Sequence, residues 1–191
     1  MAKVAVVYHS GYGHTAEQAK AVIRGIESVS GTNSTLISVD QIEQHWATLE
    51  AADAIIFGSP TYMGSASGPF KMFMDASSKV WFTQGWKNKI AAGFTNSASQ
   101  SGDKLNTLVQ LAIFAAQHGM IWVGVDLMPG NNHSKGSVHD LNRLGGFMGA
   151  LAQSNSDEGP DMGPIGSDLK TAEHLGARVA QITNQFLAGR K

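Results

Sequence analysis

The chain has no cysteine, which excludes disulfides, thiolate metal sites and a cysteine nucleophile. It also lacks an excess of either charge: 14 Lys and Arg stand against 15 Asp and Glu, a net charge of −1. Without a basic surplus there is no footprint for nucleic acid. Without an acidic one there is no steering face of the kind a carrier uses to dock on basic partners. No apolar run approaches the roughly 20 residues needed to cross a bilayer, and Met1-Ala2-Lys3 leads straight into a short apolar stretch. A cytoplasmic protein with no membrane or nucleic-acid partner is therefore expected. His9 and His14 find no third ligand at a suitable spacing, so no metal site is expected either.

What is present is glycine, 22 of 191 residues, placed largely between the candidate elements. The most informative stretch is Tyr8-His9-Ser10-Gly11-Tyr12-Gly13-His14-Thr15, which follows Val4-Ala5-Val6-Val7 and precedes an amphipathic run. Strand, tight turn, then helix aims unpaired backbone N–H groups at one point, on the positive end of the helix dipole. Gly11 and Gly13 allow positive φ and close approach of an anion to the backbone. The turn is neither G-x-G-x-x-G nor a P-loop, since no lysine follows the glycines. A monophosphate cradle fits it, with an ordinary βα turn as the alternative.

Further apolar runs occur at Thr35–Val39, Ala54–Phe57, Ile90–Phe94 and Met120–Val125, mostly continuous, as in strands covered on both faces. Helical periodicity separates them. It runs from Thr15 through Val29, from Ser67 to Val80 with Phe70, Phe73, Met74 and Ser77 on one face, and from Asp103 to Gln117 burying Leu105, Leu108, Val109, Leu111 and Ala112. A last helix spans Asp168 to Leu187, and Gln41 to Glu50 holds a turn or two. Thr15-x-x-Gln18 resembles a capping box. Alternating strands and helices predict one domain over 1–191, an α/β doubly wound, five-stranded parallel sheet in the order 2-1-3-4-5. Ligands then bind beyond the carboxyl ends of the strands. The stretch 129–167 is too long and polar for a plain connection, and reads as a lid or subunit contact.

Two more loops should converge with the first: Gly58-Ser59-Pro60-Thr61-Tyr62-Met63-Gly64 and Thr95-Asn96-Ser97-Ala98-Ser99-Gln100-Ser101-Gly102. Uncharged and rich in donors, they suit a flat heteroaromatic ring, and with the phosphate cradle they describe a site for flavin mononucleotide (FMN). Tyr12-Gly13-His14, Gly58 to Gly64, Phe73-Met74-Asp75, Trp81 and His118-Gly119-Met120 together resemble the WrbA-type flavodoxin-like NAD(P)H:quinone oxidoreductases.

The resemblance covers 1–30 and 51–125 well and the last helix loosely. It implies a flavodoxin-like fold, with Ser10 to Thr15 on the FMN phosphate, Tyr62, Met63 and Gly64 along the ring, and Asn96, Ser97, Ala98, Ser99, Gln100 and Ser101 at its pyrimidine edge; Pro60, Thr61, Thr95 and Gly102 complete the candidate cofactor-binding set. It implies that His118 reaches the flavin, from behind the ring or across a subunit contact, and that Tyr12 and Trp81 serve the nicotinamide donor and substrate. His118 and Tyr12 are the candidate catalytic residues. The expected reaction is hydride transfer from NADH or NADPH to FMN, then two electrons to a quinone-like acceptor, in a homodimer or homotetramer. The alternative is a one-electron flavodoxin-type carrier or an FMN-binding stress or assembly protein. Departures are visible: Tyr62-Met63 replaces an Arg-Phe pair, Gln100-Ser101 replaces glycines, and the insertion between the second and third strands is missing. The family's Gly-Gly-x-Pro-Tyr-Gly loop survives only as Gly145-Gly146-Phe147-Met148-Gly149.

Overall fold

The computed structural model describes residues 1–190. Four parallel strands form the body of the sheet: β1 (Ala2–Tyr8), β2 (Thr32–Ser38), β3 (Ala54–Gly58) and a long strand at Ile90–Ser97, in the order β2-β1-β3-long strand. Between β3 and that long strand the short strands β4 (Thr61–Tyr62) and β5 (Ser65–Ala66) make an antiparallel hairpin, so the long strand is β6. Its outer edge is shared. β7 (Ile121–Trp122) pairs beside Ile90 and Ala91, and β8 (Ala150–Gln153) pairs beside Phe94 to Ser97, both parallel.

The expected order is thus present, with its fifth place filled by two pieces. Val123 still donates to the Ala91 carbonyl at 2.7 Å, and the chain then leaves the edge until Ala150. The 129–167 stretch, expected to be a lid or contact, spends four of its residues completing the sheet.

Strand residues alternate between two cores, as the pleat requires. Val4, Val6, Ala54 and Ile56 meet α1 (His14–Glu27) and α6 (Gly166–Gly189). Ala5, Val7, Ile55 and Phe57 meet α2 (Trp46–Ala51), α3 (Gly68–Ala76) and α5 (Lys104–Gln117). A 3-10 turn at Val39–Gln44 precedes α2. Helices α1 and α6 cross closely enough that a Cβ on Gly25 would strike the Glu173 backbone, and one on Gly176 the Val22 backbone.

Three expectations are corrected. The helix expected over Ser67–Val80 is broken at Ser77, whose hydroxyl donates to the Met74 carbonyl at 2.7 Å; α4 (Ser78–Phe82) follows as a separate short helix. On α5 the inward stripe is Lys104, Thr107, Leu108, Leu111, Phe114 and Ala115, while Leu105 is 60% exposed and Val109 also lies outside. Gln18 makes no capping box: its side-chain NH2 donates to the Ala150 carbonyl at 3.2 Å and so ties α1 to β8.

Candidate functional site

The carboxyl ends of β1, β3, β6 and β8 point the same way, because all four are parallel. Beyond them lies a cavity of about 880 Å3. Its walls come from four loops, and the first three are those singled out in the sequence.

In the first loop, Gly13 takes φ 92° and opens α1. The Ser10 hydroxyl accepts the Ala16 N–H at 3.1 Å, capping the helix from upstream. The N–H groups of Tyr12, Gly13, His14 and Thr15 have no acceptor among the described residues. They form an anion cradle at the positive end of a helix of 14 residues. Tyr12 and His14 reach the cavity wall; Ser10, Gly11, Gly13 and Thr15 build the turn behind them.

The second loop is the β4–β5 hairpin. Met63 and Gly64, at φ 48° and 79°, form its two-residue tip, the geometry that matches strand twist in tight hairpins. Thr61, Tyr62, Met63 and Gly64 all line the cavity. The Tyr62 hydroxyl lies directly over Gly11, where a Cβ would collide with it. Burial raises the Tyr62 phenol pKa, the Tyr12 phenol beside it adds to that, and the Gly11 N–H opposes both. Behind the hairpin, the His9 ring bonds Ser67 Oγ at 2.8 Å, and the Ser67 N–H donates to Ser59 Oγ at 3.0 Å. Ser59 Oγ in turn donates to the Pro60 carbonyl at 3.0 Å, so Pro60 shapes the turn without lining the cavity. Burial lowers the His9 pKa against the opposing pull of Asp40, which suits a neutral structural imidazole.

In the third loop, Ser97, Ala98, Ser99 and Gly102 line the cavity. Thr95 and Asn96 lie beneath: the Thr95 and Thr61 hydroxyls bond at 2.8 Å, and Asn96 Oδ1 accepts the Ser154 hydroxyl at 3.1 Å. Gln100 and Ser101 face a separate cavity behind the loop.

The fourth wall comes from the 129–167 stretch, expected to be a lid or subunit contact, though none of its residues was singled out for the site. Ser154, Asn155, Ser156, Glu158 and Gly159 close the cavity after β8, held by a bond from the His14 ring to the Glu158 carbonyl at 3.0 Å and by Pro160 packed against Gly13. Asp103 is also in the wall. A short polar loop following a strand end was the available signal, hidden by the brevity of β8.

His118 and Trp81 are not brought to this cavity. Both line another groove of about 580 Å3 between α3, α4 and α5. His118 is 2% exposed, bonds Ser77 Oγ at 2.9 Å through Nε2 and packs on Trp86 with ring centroids 4.4 Å apart. Its Nδ1 has no partner among the described residues, and burial holds its pKa down at about 4. Among the described residues there is no cluster of three metal-binding side chains, and no helix long and apolar enough to cross a membrane.

Residues 30–134 match the model of the NADPH-dependent FMN reductases. The chain is 44% identical to flavodoxin FldP of Pseudomonas aeruginosa, over 98% of this chain and all of that one. It is 30% identical to a protein of Trichlorobacter lovleyi named NAD(P)H dehydrogenase (quinone), over 98% and 100% of the two chains. Among solved structures, the flavodoxin, WrbA-like protein from Agrobacterium tumefaciens superposes with a TM-score of 0.75 at 44% identity, covering 97% of this chain and 99% of that one. The match to the family model, the full-length relatives and the flavodoxin-like sheet agree: the chain belongs to the NADPH-dependent FMN reductase family, in its WrbA-type flavodoxin-like branch.

Proposed function

We propose that the cavity holds FMN and that the chain passes two electrons from NAD(P)H, by way of that flavin, to a quinone-like acceptor. As a member of its family the chain is an FMN-dependent NAD(P)H oxidoreductase; the residues that hold the cofactor, the acceptor and the electron count are the proposal. FMN supplies the redox chemistry, accepting hydride and releasing electrons. The observation that carries the reading is the run of N–H groups from Tyr12 to Thr15, without acceptors among the described residues, beside a cavity that Tyr12 and His14 line.

Each wall has a physical task. The N–H groups of the first loop receive the phosphate dianion at the helix terminus, where no counter-cation is needed. Tyr62 and the Met63-Gly64 tip offer a flat apolar surface for one edge of the ring. The third loop supplies neutral donors for ring carbonyls, and the 154–159 loop excludes water from the phosphate side. Tyr12 is 77% exposed and meets Tyr62 edge-on; it stands where a nicotinamide or quinone would stack, and it is the candidate proton donor that reaches the cavity. His118, neutral and enclosed, does not reach the cavity of its own chain.

The test is anaerobic absorbance spectroscopy of the flavin-loaded protein. NADH or NADPH should bleach the flavin bands, and benzoquinone should restore them within one turnover. A second reading, a one-electron carrier, is favoured by the 44% identity to the Pseudomonas protein named a flavodoxin. It predicts no bleaching by NAD(P)H and two resolved one-electron steps in a potentiometric titration.

A further inference from the structure

Lys104 opens α5 yet is 1% exposed. Its ammonium is turned back into the loop that precedes it, donating to the carbonyl oxygens of Ser99 at 2.6 Å, Gln100 at 3.0 Å and Ser101 at 3.5 Å. Among the described residues no carboxylate makes an ion pair with it: Asp168 is engaged with Arg143 at 2.8 and 2.7 Å and with the Gln153 N–H at 2.9 Å. In a planar trans peptide, each C=O points opposite to the N–H of the next residue. Carbonyls 99, 100 and 101 face the ammonium, so the N–H groups of Gln100, Ser101 and Gly102 face away from it. None of those three N–H groups has an acceptor among the described residues. Behind the loop lies a cavity of about 500 Å3 with Gln100, Ser101 and Lys104 in its wall. The ammonium holds carbonyls 99 to 101 from that side, while the Ala98 carbonyl accepts from Gln153 Nε2 at 2.9 Å and the Ser99 carbonyl also accepts the Ser97 hydroxyl at 3.2 Å.

We infer that Lys104 is the positioning residue of the 97–102 loop: its protonated amine gathers the loop's carbonyl oxygens and thereby presents the loop's N–H groups to the cofactor, so that flavin retention depends on that proton. The inference rests on the flavin reading of the main cavity. An amine can accept one N–H but cannot hold three carbonyls, so deprotonation frees the backbone to turn. The charged groups facing Lys104 are Asp168 from α6 and Arg143 from the 129–149 stretch. Burial lowers the Lys104 pKa to about 8, with Arg143 adding to the shift and Asp168 opposing it. The proton is thus lost within a pH range where the fold itself can be studied.

The experiment is the Kd of apoprotein for FMN, read by quenching of flavin fluorescence from pH 7 to pH 9. One proton linked to binding gives wild-type protein a Kd that rises about tenfold across that range. Lys104→Met should bind weakly and without pH dependence, and Lys104→Arg, whose charge does not titrate, should bind without pH dependence and remain tight at pH 9. A merely structural lysine would lower the melting temperature of Lys104→Met and leave the shape of the pH profile unchanged. Tight binding at pH 7 with a flat wild-type profile overturns the inference, whether or not the variants fold. Absence of FMN binding at pH 7 overturns the flavin reading beneath it.

Discussion

The Thr61 hydroxyl bonds the Thr95 hydroxyl at 2.8 Å and the Thr107 hydroxyl at 2.8 Å. The three side chains are buried and pin the β4–β5 hairpin to the end of β6 and to α5. Thr61→Val keeps the volume and strands two buried hydroxyls, which costs about 2 kcal/mol. A thermal melt should fall by about 5 °C.

The His14 ring and the Glu158 carbonyl join the first and fourth walls at 3.0 Å. His14→Ala should free 155–160, seen as faster amide exchange confined to that loop. Loss of one hydrogen bond speeds FMN release roughly fivefold, measurable by stopped-flow displacement.

Gly176 sits in the α1–α6 crossing, where a Cβ would meet the Val22 backbone rather than a flexible side chain. Backbone cannot yield as a side-chain tip does, so Gly176→Ala should destabilise the fold by about 2 kcal/mol despite the better helix propensity of alanine. Urea unfolding reads this directly, and an unchanged midpoint would refute it.

His118 is neutral in the fold, with its pKa lowered from 6.5 to about 4 by burial. In the unfolded chain it takes up a proton as pH falls below 6.5, so the unfolded state binds more protons over that interval. The stability that depends on the neutral ring is complete above pH 6.5 and is lost as pH falls towards 4, by up to about 3 kcal/mol. His118→Phe, which keeps the stacking on Trp86, should flatten this part of the stability–pH curve.

Much of this was legible from residue patterns, for identifiable reasons. Continuous runs such as Ala54–Phe57 announce strands buried on both faces, and the glycines around Tyr12 announce a turn with free N–H groups. The order of the sheet follows. Lys104 was not legible: a lysine beside Asp103 reads as a solvated helix start, and only the path of the 97–102 loop wraps carbonyls around it. Lys104 lies on the buried stripe of α5, and Leu105 and Val109 lie on the opposite, exposed side. Strand β8 escaped because Ala150-Leu151-Ala152-Gln153 is too short to carry periodicity; its place is set by the free edge of β6. The 154–159 wall was hidden with it.

FMN held at the strand ends must touch the first and third loops at once. An amide 1H–15N correlation spectrum of the labelled apoprotein, titrated with FMN, should shift the resonances of Tyr12 to Thr15 and of Ala98 to Gly102 together, saturating at one equivalent. Shifts confined to the groove around His118 and Trp81, with the Tyr12 to Thr15 amides unmoved, would contradict it.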